Sequence, residues 1–215
     1  MKYMSYFNMT QLNQDAFAEN ICRNVEHGNG YFIDIGAAHP IIINNTYMLE
    51  KKRGWNGLSF DIGDKHTHKC EDLGGDIDAY KERWESCRDT KIIIGDATKL
   101  DYRKIFKENN VPKVIEYLSM DLEPKEVTLE ALKLIPFDEY QFKVITYETD
   151  EKRGDNCVAP SREIFEKYGY TLYASVRGQD DFWVKKDLID CEIYERIKQG
   201  FLRKYGQGNS ILHDK

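Results

Sequence analysis

Apolar and polar positions in this chain switch between two periods, and the switching outlines a fold before any chemistry is considered. Short, almost wholly apolar runs read as strands: Tyr31 to Ile35, Gly57 to Ile62, Lys91 to Ile94, Val114 to Leu122 and Phe142 to Tyr147. Strands covered on both faces carry such runs. Between them, stretches with a helical stripe read as helices: Asp78 to Arg88, Tyr102 to Asn109, Val127 to Leu134 and Ser161 to Tyr168. An earlier stripe of Leu12, Phe17, Ile21, Cys22 and Val25 makes Gln11 to Glu26 helical. Tyr170 to Val176 and Asp181 to Val184, joined by a turn at Gly178, form a closing pair; Leu188 to Tyr205 is a last helix before a frayed polar tail. This alternation predicts an α/β fold, a mostly parallel sheet with crossover helices. No repeat or linker divides the chain. The expected organisation is one domain: a helical segment over 1–29, a core over 30–186, and a C-terminal helix and tail over 187–215.

Composition narrows the classes. The chain has 215 residues, 41% hydrophobic and 32% charged, which is globular and long enough to bury about 70% of its unfolded surface. A net charge of −6 argues against a nucleic-acid binder, since phosphate contacts need a basic face. Five scattered cysteines without a CxxC pair suggest free thiols in a reducing compartment. No apolar run approaches the ~20 residues of a membrane span. The start MKYMSYFNMTQLNQDAF lacks a signal-peptide core, so a cytoplasmic protein is expected.

The chemistry concentrates at the ends of the strands, where open α/β sheets bind ligands. The turn Asp34-Ile35-Gly36-Ala37-Ala38 has one glycine where a dinucleotide fingerprint needs GxGxxG, which disfavours an NAD-binding oxidoreductase. Its acid suits a cation better than a pyrophosphate, so S-adenosylmethionine (SAM) is the expected cofactor. Asp61, ending the second strand, is placed to accept ribose hydroxyls. Asp96 and the Ala97 N–H, after the third strand, could read an adenine edge. Each acid has a plainer alternative as a helix or turn cap.

The run DIGAAHPIIINNTYMLEKKRGWNGLSFDIGD resembles the FkbM family of methyltransferases, whose pattern is close to DIGA…SNTyxLExxxGWxGxxxE. YLSMDLEPKEVTLEALKLIPFDEYQFKVITYETD is similar to its SxDxEgxE…vixxE block, and KYGYTLYASVRGQDDFWV to its closing GY…DxxfV. The three blocks keep the family's order over about Gly30 to Lys185. The resemblance implies a Rossmann-like class I methyltransferase fold, with a mostly parallel seven-stranded sheet, an antiparallel closing strand and helices on both faces. It implies a SAM-dependent O-methyltransferase acting on a sugar hydroxyl of a glycan, with association or fusion to glycosyltransferases as a conceivable setting. Asp34, Gly36, Ala37, Asn45, Thr46, Asp61, Asp96 and Asp121 match its cofactor-pocket positions. The chain departs from the pattern at Asn44 (serine is usual), Asp61 (glutamate is commoner) and Pro124 (glycine in DxEG).

Methyl transfer to a hydroxyl needs positioning and a route for the proton. Strand alternation would set Ser119, Asp121 and Glu123 on one side, near Glu148 at the end of the fifth strand. Asp121 and Glu148, with Glu123, could then hold Mg²⁺ or Mn²⁺; the alternative is that Glu123 and Glu148 bond backbone amides. His39 is a candidate base; the alternatives are that it packs over the methionine moiety of the cofactor or bonds the loop backbone. His66, His68 and Cys70 lack the fourth ligand a structural zinc needs. Tyr3, Tyr6 and Phe7 read as a packing flap, Trp55 as core, and Lys152 and Arg153 as members of a solvated or acceptor-binding loop. Open alternatives are a non-sugar acceptor and a catalytically silent SAM-binding partner in glycan assembly.

Overall fold

A computed structural model describes residues 12–63, 76–150, 156–176, 178–205 and 210–211. Tyr3, Tyr6, Phe7, His66, His68, Cys70, Lys152 and Arg153 lie outside the described residues.

Five strands run parallel in the order β3 (Lys91–Ile94), β2 (Asn56–Asp61), β1 (Tyr31–Ile35), β4 (Val114–Met120), β5 (Gln141–Glu148). β7 (Asp180–Val184) pairs antiparallel with β5, and β6 (Thr171–Val176) antiparallel with β7. Strand order reverses between β1 and β4, the switch point at which this class of sheet opens a crevice. This is the expected Rossmann-like arrangement, a mostly parallel sheet with an antiparallel closing strand and helices on both faces. An eighth strand, the two-residue β8 (Ser210–Ile211), pairs with β6 in a stretch expected to fray. Among the described residues no helix is long and apolar enough to cross a membrane.

The two faces of the sheet are buried under different helices. Ile33, Leu118, Ile145 and Trp183 face α4 (Tyr102–Glu108), α5 (Lys125–Leu134) and α6 (Val158–Lys167) through Phe106, Leu132 and Phe165. Their alternates Phe32, Tyr117, Val144 and Val184 pack against α1 (Gln14–Ile21) and α7 (Cys191–Tyr205) through Phe17, Ile21 and Tyr194. Side chains two apart share a face. The second face therefore continues, one step towards the carboxyl ends, into Asp34, Ser119 and Thr146, which the register aligns across β1, β4 and β5. A further step brings Glu148 opposite Asp180 across β5 and β7. An apolar row gives way to a polar one on this face, and that change of character marks where a site can begin.

One helix was not expected. α2 (Tyr47–Arg53) follows Thr46 and ends at Gly54, whose left-handed backbone (φ 64°) lets its N–H reach Glu50 O and Leu49 O. Only Leu49 and Glu50 of its residues are buried, so the segment carries no apolar stripe to announce it.

Candidate active site

The turn after β1 is held from three sides. Gly36 N and Ala37 N donate to Phe60 O at 2.9 and 3.1 Å, and Ala38 N donates to Asp61 Oδ2 at 2.9 Å. Gly36 has φ +88°, and a Cβ there would fall 1.9 Å from the carbonyl oxygen of Asp121. Glycine is required by this approach of two backbones as well as by the dihedral. Because the three N–H groups point inward, the turn offers no nest of donors to a pyrophosphate. Asp61 is buried, and each of its carboxyl oxygens accepts one backbone N–H, from Ala38 and from Gly63 (2.7 Å).

Asp34 is buried behind the turn, where Thr46 Oγ1 donates to its Oδ2 at 2.8 Å. Burial pushes its carboxyl up to about 6, against the opposing pull of Thr46, Arg88 and Ser119. Asn45 Nδ2 donates to Ser119 Oγ at 3.0 Å, which joins the loop before α2 to the middle of β4. Asp34, Asn45, Thr46 and Ser119 are thus brought together in one buried network next to Gly36 and Ala37.

His39 is buried, and its Nδ1 accepts from Ile41 N and Ile42 N at 3.0 and 2.9 Å. An accepting Nδ1 places the proton of the neutral ring on Nε2. The geometry gives His39 the loop-bonding role. Asp96 and Ala97 follow β3 (Lys91–Ile94), as expected. Asp96 caps its own turn, accepting from Thr98 N (2.9 Å) and Thr98 Oγ1 (2.6 Å), while Lys99 pairs with it at 2.7 Å. The bond from Lys99, then those from Thr98, draws its carboxyl down to about 2. Ala97 is buried in the core.

Asp121, Glu148 and Asp180 gather at the ends of β4, β5 and β7. Asp121 N donates to Ile35 O, setting it beside the turn. Burial lifts the Glu148 carboxyl well above its ordinary range; repulsion by Asp121, a hydrogen bond shared with Asp121, and repulsion by Asp180 and Glu123 add to this. Its Oε2 is buried without a partner among the described residues. Asp180 is pushed up to about 8, first by burial and then by Asp121, against the bond that Gln14 Nε2 donates to its Oδ2 at 2.7 Å.

The expected three-carboxylate metal site does not form. Among the described residues no group of three or more His, Cys, Asp or Glu is arranged to hold a metal ion, so Asp121, Glu123 and Glu148 do not fit Mg²⁺ or Mn²⁺. β4 ends at Met120, and strand alternation cannot be carried past it to Glu123, which is exposed on the way into α5.

Several residues of this region carry no motif. Asn44 bridges Ala37 O and His39 O with its amide, Tyr80 O–H donates to Ala38 O at 2.5 Å, and Arg88 reaches in from the end of α3 (Ile77–Cys87). Tyr80 lies 42 positions from Ala38 and Arg88 lies 38 from Glu50, separations that no local pattern announces.

No protein-family model matches the chain, and no curated protein matches it. The likeness to the FkbM pattern therefore remains a resemblance of motifs. Solved structures do match. The O-methyltransferase NovP is 12% identical, with a TM-score of 0.49, and the match covers 80% of this chain and 78% of that one. CalS11, a TDP-rhamnose 3'-O-methyltransferase of calicheamicin biosynthesis, is 14% identical with a TM-score of 0.47, covering 81% and 79%. MtNAS, solved in complex with MTA and tNA, is 13% identical with a TM-score of 0.44; the match covers 80% of this chain but only 60% of MtNAS. Likeness of this degree concerns the fold alone.

Proposed function

We propose that the chain is a SAM-dependent O-methyltransferase whose acceptor is a sugar hydroxyl of a glycan. The observation that supports it is the placing of carboxyl groups. Asp34 and Asp61 flank a turn whose N–H groups are turned inward, and Asp121, hydrogen-bonded to Glu148, stands beside that turn. Such a site favours a cationic donor and supplies a proton acceptor. Asp61 would accept the ribose hydroxyls, and Asp96 with Ala97 would meet the adenine edge.

Bound SAM supplies a methyl group made electrophilic by its sulfonium. Asp121 would accept the proton of the attacking hydroxyl, with SAM the source of the methyl group and SAH the leaving product. Glu148, which holds its own proton through neutral pH, donates to Asp121 and keeps it oriented. Ser119 and Asn45 fix the floor of the site. His39 holds the loop over it, so the base is assigned to Asp121.

Calorimetry with SAM, its demethylated product S-adenosylhomocysteine (SAH) and NAD tests the donor, and turnover on a panel of sugars tests the acceptor. Asp121→Asn is expected to lower kcat by about 10²- to 10⁴-fold. Undiminished turnover in that variant removes Asp121 as base; binding of NAD in place of SAH removes the whole reading.

A further inference from the structure

One buried cation gathers the polar groups of the segment that forms the donor turn. Arg88, just beyond the end of α3, has no exposed side-chain surface. Its Nε donates to Glu50 Oε2 at 2.5 Å, its Nη1 to Pro40 O and Asn44 Oδ1, both at 3.0 Å, and its Nη2 to Thr46 Oγ1 at 3.0 Å. The guanidinium lies 4.6 Å from the centre of the Trp84 ring. Glu50 is held in turn by Asp89 N at 2.8 Å and Thr90 Oγ1 at 2.5 Å. Four acceptors in two directions suit a planar fork of five donors, and an ammonium cannot serve them all.

From these acceptors the contacts run to the turn itself. Asn44 Nδ2 donates to Ala37 O at 3.0 Å and to His39 O at 3.2 Å. Thr46 Oγ1, which accepts from Arg88, donates in turn to Asp34 Oδ2 at 2.8 Å. We propose that Arg88 is a positioning residue for the donor: through Asn44 it shapes the 37–46 loop, and through Thr46 it holds Asp34 as a charged acceptor. The inference rests on the donor reading above. Arg88 itself touches no donor in this scheme.

The charged and titratable groups acting on Asp34 are Arg88, which favours its ionised form, and Asp121, which opposes it; the hydroxyls of Thr46 and Ser119 also stabilise the carboxylate. The Tyr117 phenol shares this surrounding, pushed far above its usual range chiefly by burial. Removing the Arg88 fork or the Thr46 hydroxyl therefore moves the ionisation of Asp34 to higher pH.

The test is SAH calorimetry from about pH 5.5 to 8 on the wild type, Arg88→Lys and Thr46→Val, with unfolding midpoints measured alongside. Arg88→Lys keeps the charge and loses the fork; about tenfold weaker SAH binding is expected at neutral pH. Thr46→Val leaves the Arg88–Glu50 pair in place, and its pH midpoint for SAH binding is expected to rise. A purely structural Arg88 would lower the unfolding midpoint while SAH affinity and its pH midpoint stay put, and that result overturns the proposal. Should Arg88→Lys fail to fold, Thr46→Val decides: wild-type affinity and midpoint there overturn it equally. A wild type that takes up no SAH rejects the donor reading and this role with it, an outcome distinct from variants that bind as well as a binding wild type.

Discussion

At the scale of single residues, the site depends on where backbone crowds backbone. Gly36→Ala would drive a methyl into the Asp121 carbonyl at a dihedral that side chains rarely adopt. A loss of about 2 kcal/mol or more is expected by denaturant titration, because both the strain and the overlap must be relieved. Stability equal to wild type would mean that the turn and β4 can move apart freely. Asp61→Ala removes an acceptor of two backbone N–H groups and, on the proposed reading, the ribose partner, and should cost about 1.5–3 kcal/mol of SAH affinity. Unchanged affinity by calorimetry would detach Asp61 from the donor. The positions of both residues at strand ends were legible in the sequence, whereas the cap that Asp61 forms for Ala38 N and Gly63 N is the plainer alternative the sequence left open. Glu123 was misplaced because an alternation rule was carried past the last hydrogen-bonded residue of β4. Arg88 was invisible, since its partners Glu50 and Asn44 sit 38 and 44 positions away.

Among the elements, α1 does more than cover one face of the sheet. Gln14 at its start donates to Asp180, and Phe17 packs against Tyr173 and Phe182 with ring centres 4.9 and 5.0 Å apart. Phe17→Ala should destabilise the chain by about 3–5 kcal/mol in urea unfolding, as truncation of a buried aromatic does. A cost below about 1 kcal/mol would show that α1 is not docked as described. The parallel strands were readable because a run buried on both faces is apolar throughout. α1 was readable from its stripe, although its ends were not: the helix covers Gln14–Ile21 rather than Gln11 to Glu26. α2 escaped because its anchorage is polar, through Glu50 and the network at Thr46.

For the whole molecule, the collected acids make stability fall with rising pH. Asp34 and Asp180 are pushed up to about 6 and 8, and Glu148 well above the usual carboxyl range, in each case first by burial. In an unfolded chain such groups titrate near 4. Between those values the folded chain holds protons that the unfolded chain has released, so raising the pH favours unfolding. This stabilisation is whole below about pH 4 and is lost as the pH climbs through the folded-state values. Asp96, drawn down to about 2, acts in the opposite sense but only in strong acid. The unfolding midpoint should therefore drop between about pH 5 and pH 8.5, and Glu148→Gln should flatten part of the drop. A level profile in the wild type would mean that these carboxyls are solvated.

The change from an apolar row to a polar one spans three adjacent strands on one side of the sheet, through Asp34, Ser119 and Thr146. Behind it, the layer of Ile33, Leu118, Ile145 and Trp183 continues into Ile35, Met120 and Tyr147, and its polar member is Asp181, buried on β7 and paired with Arg162 of α6. The molecule thereby separates two kinds of tolerance. Repacking the rear layer is expected to alter thermal endurance first, whereas exchanges within the polar row of Asp34, Ser119 and Thr146 act on the candidate site itself.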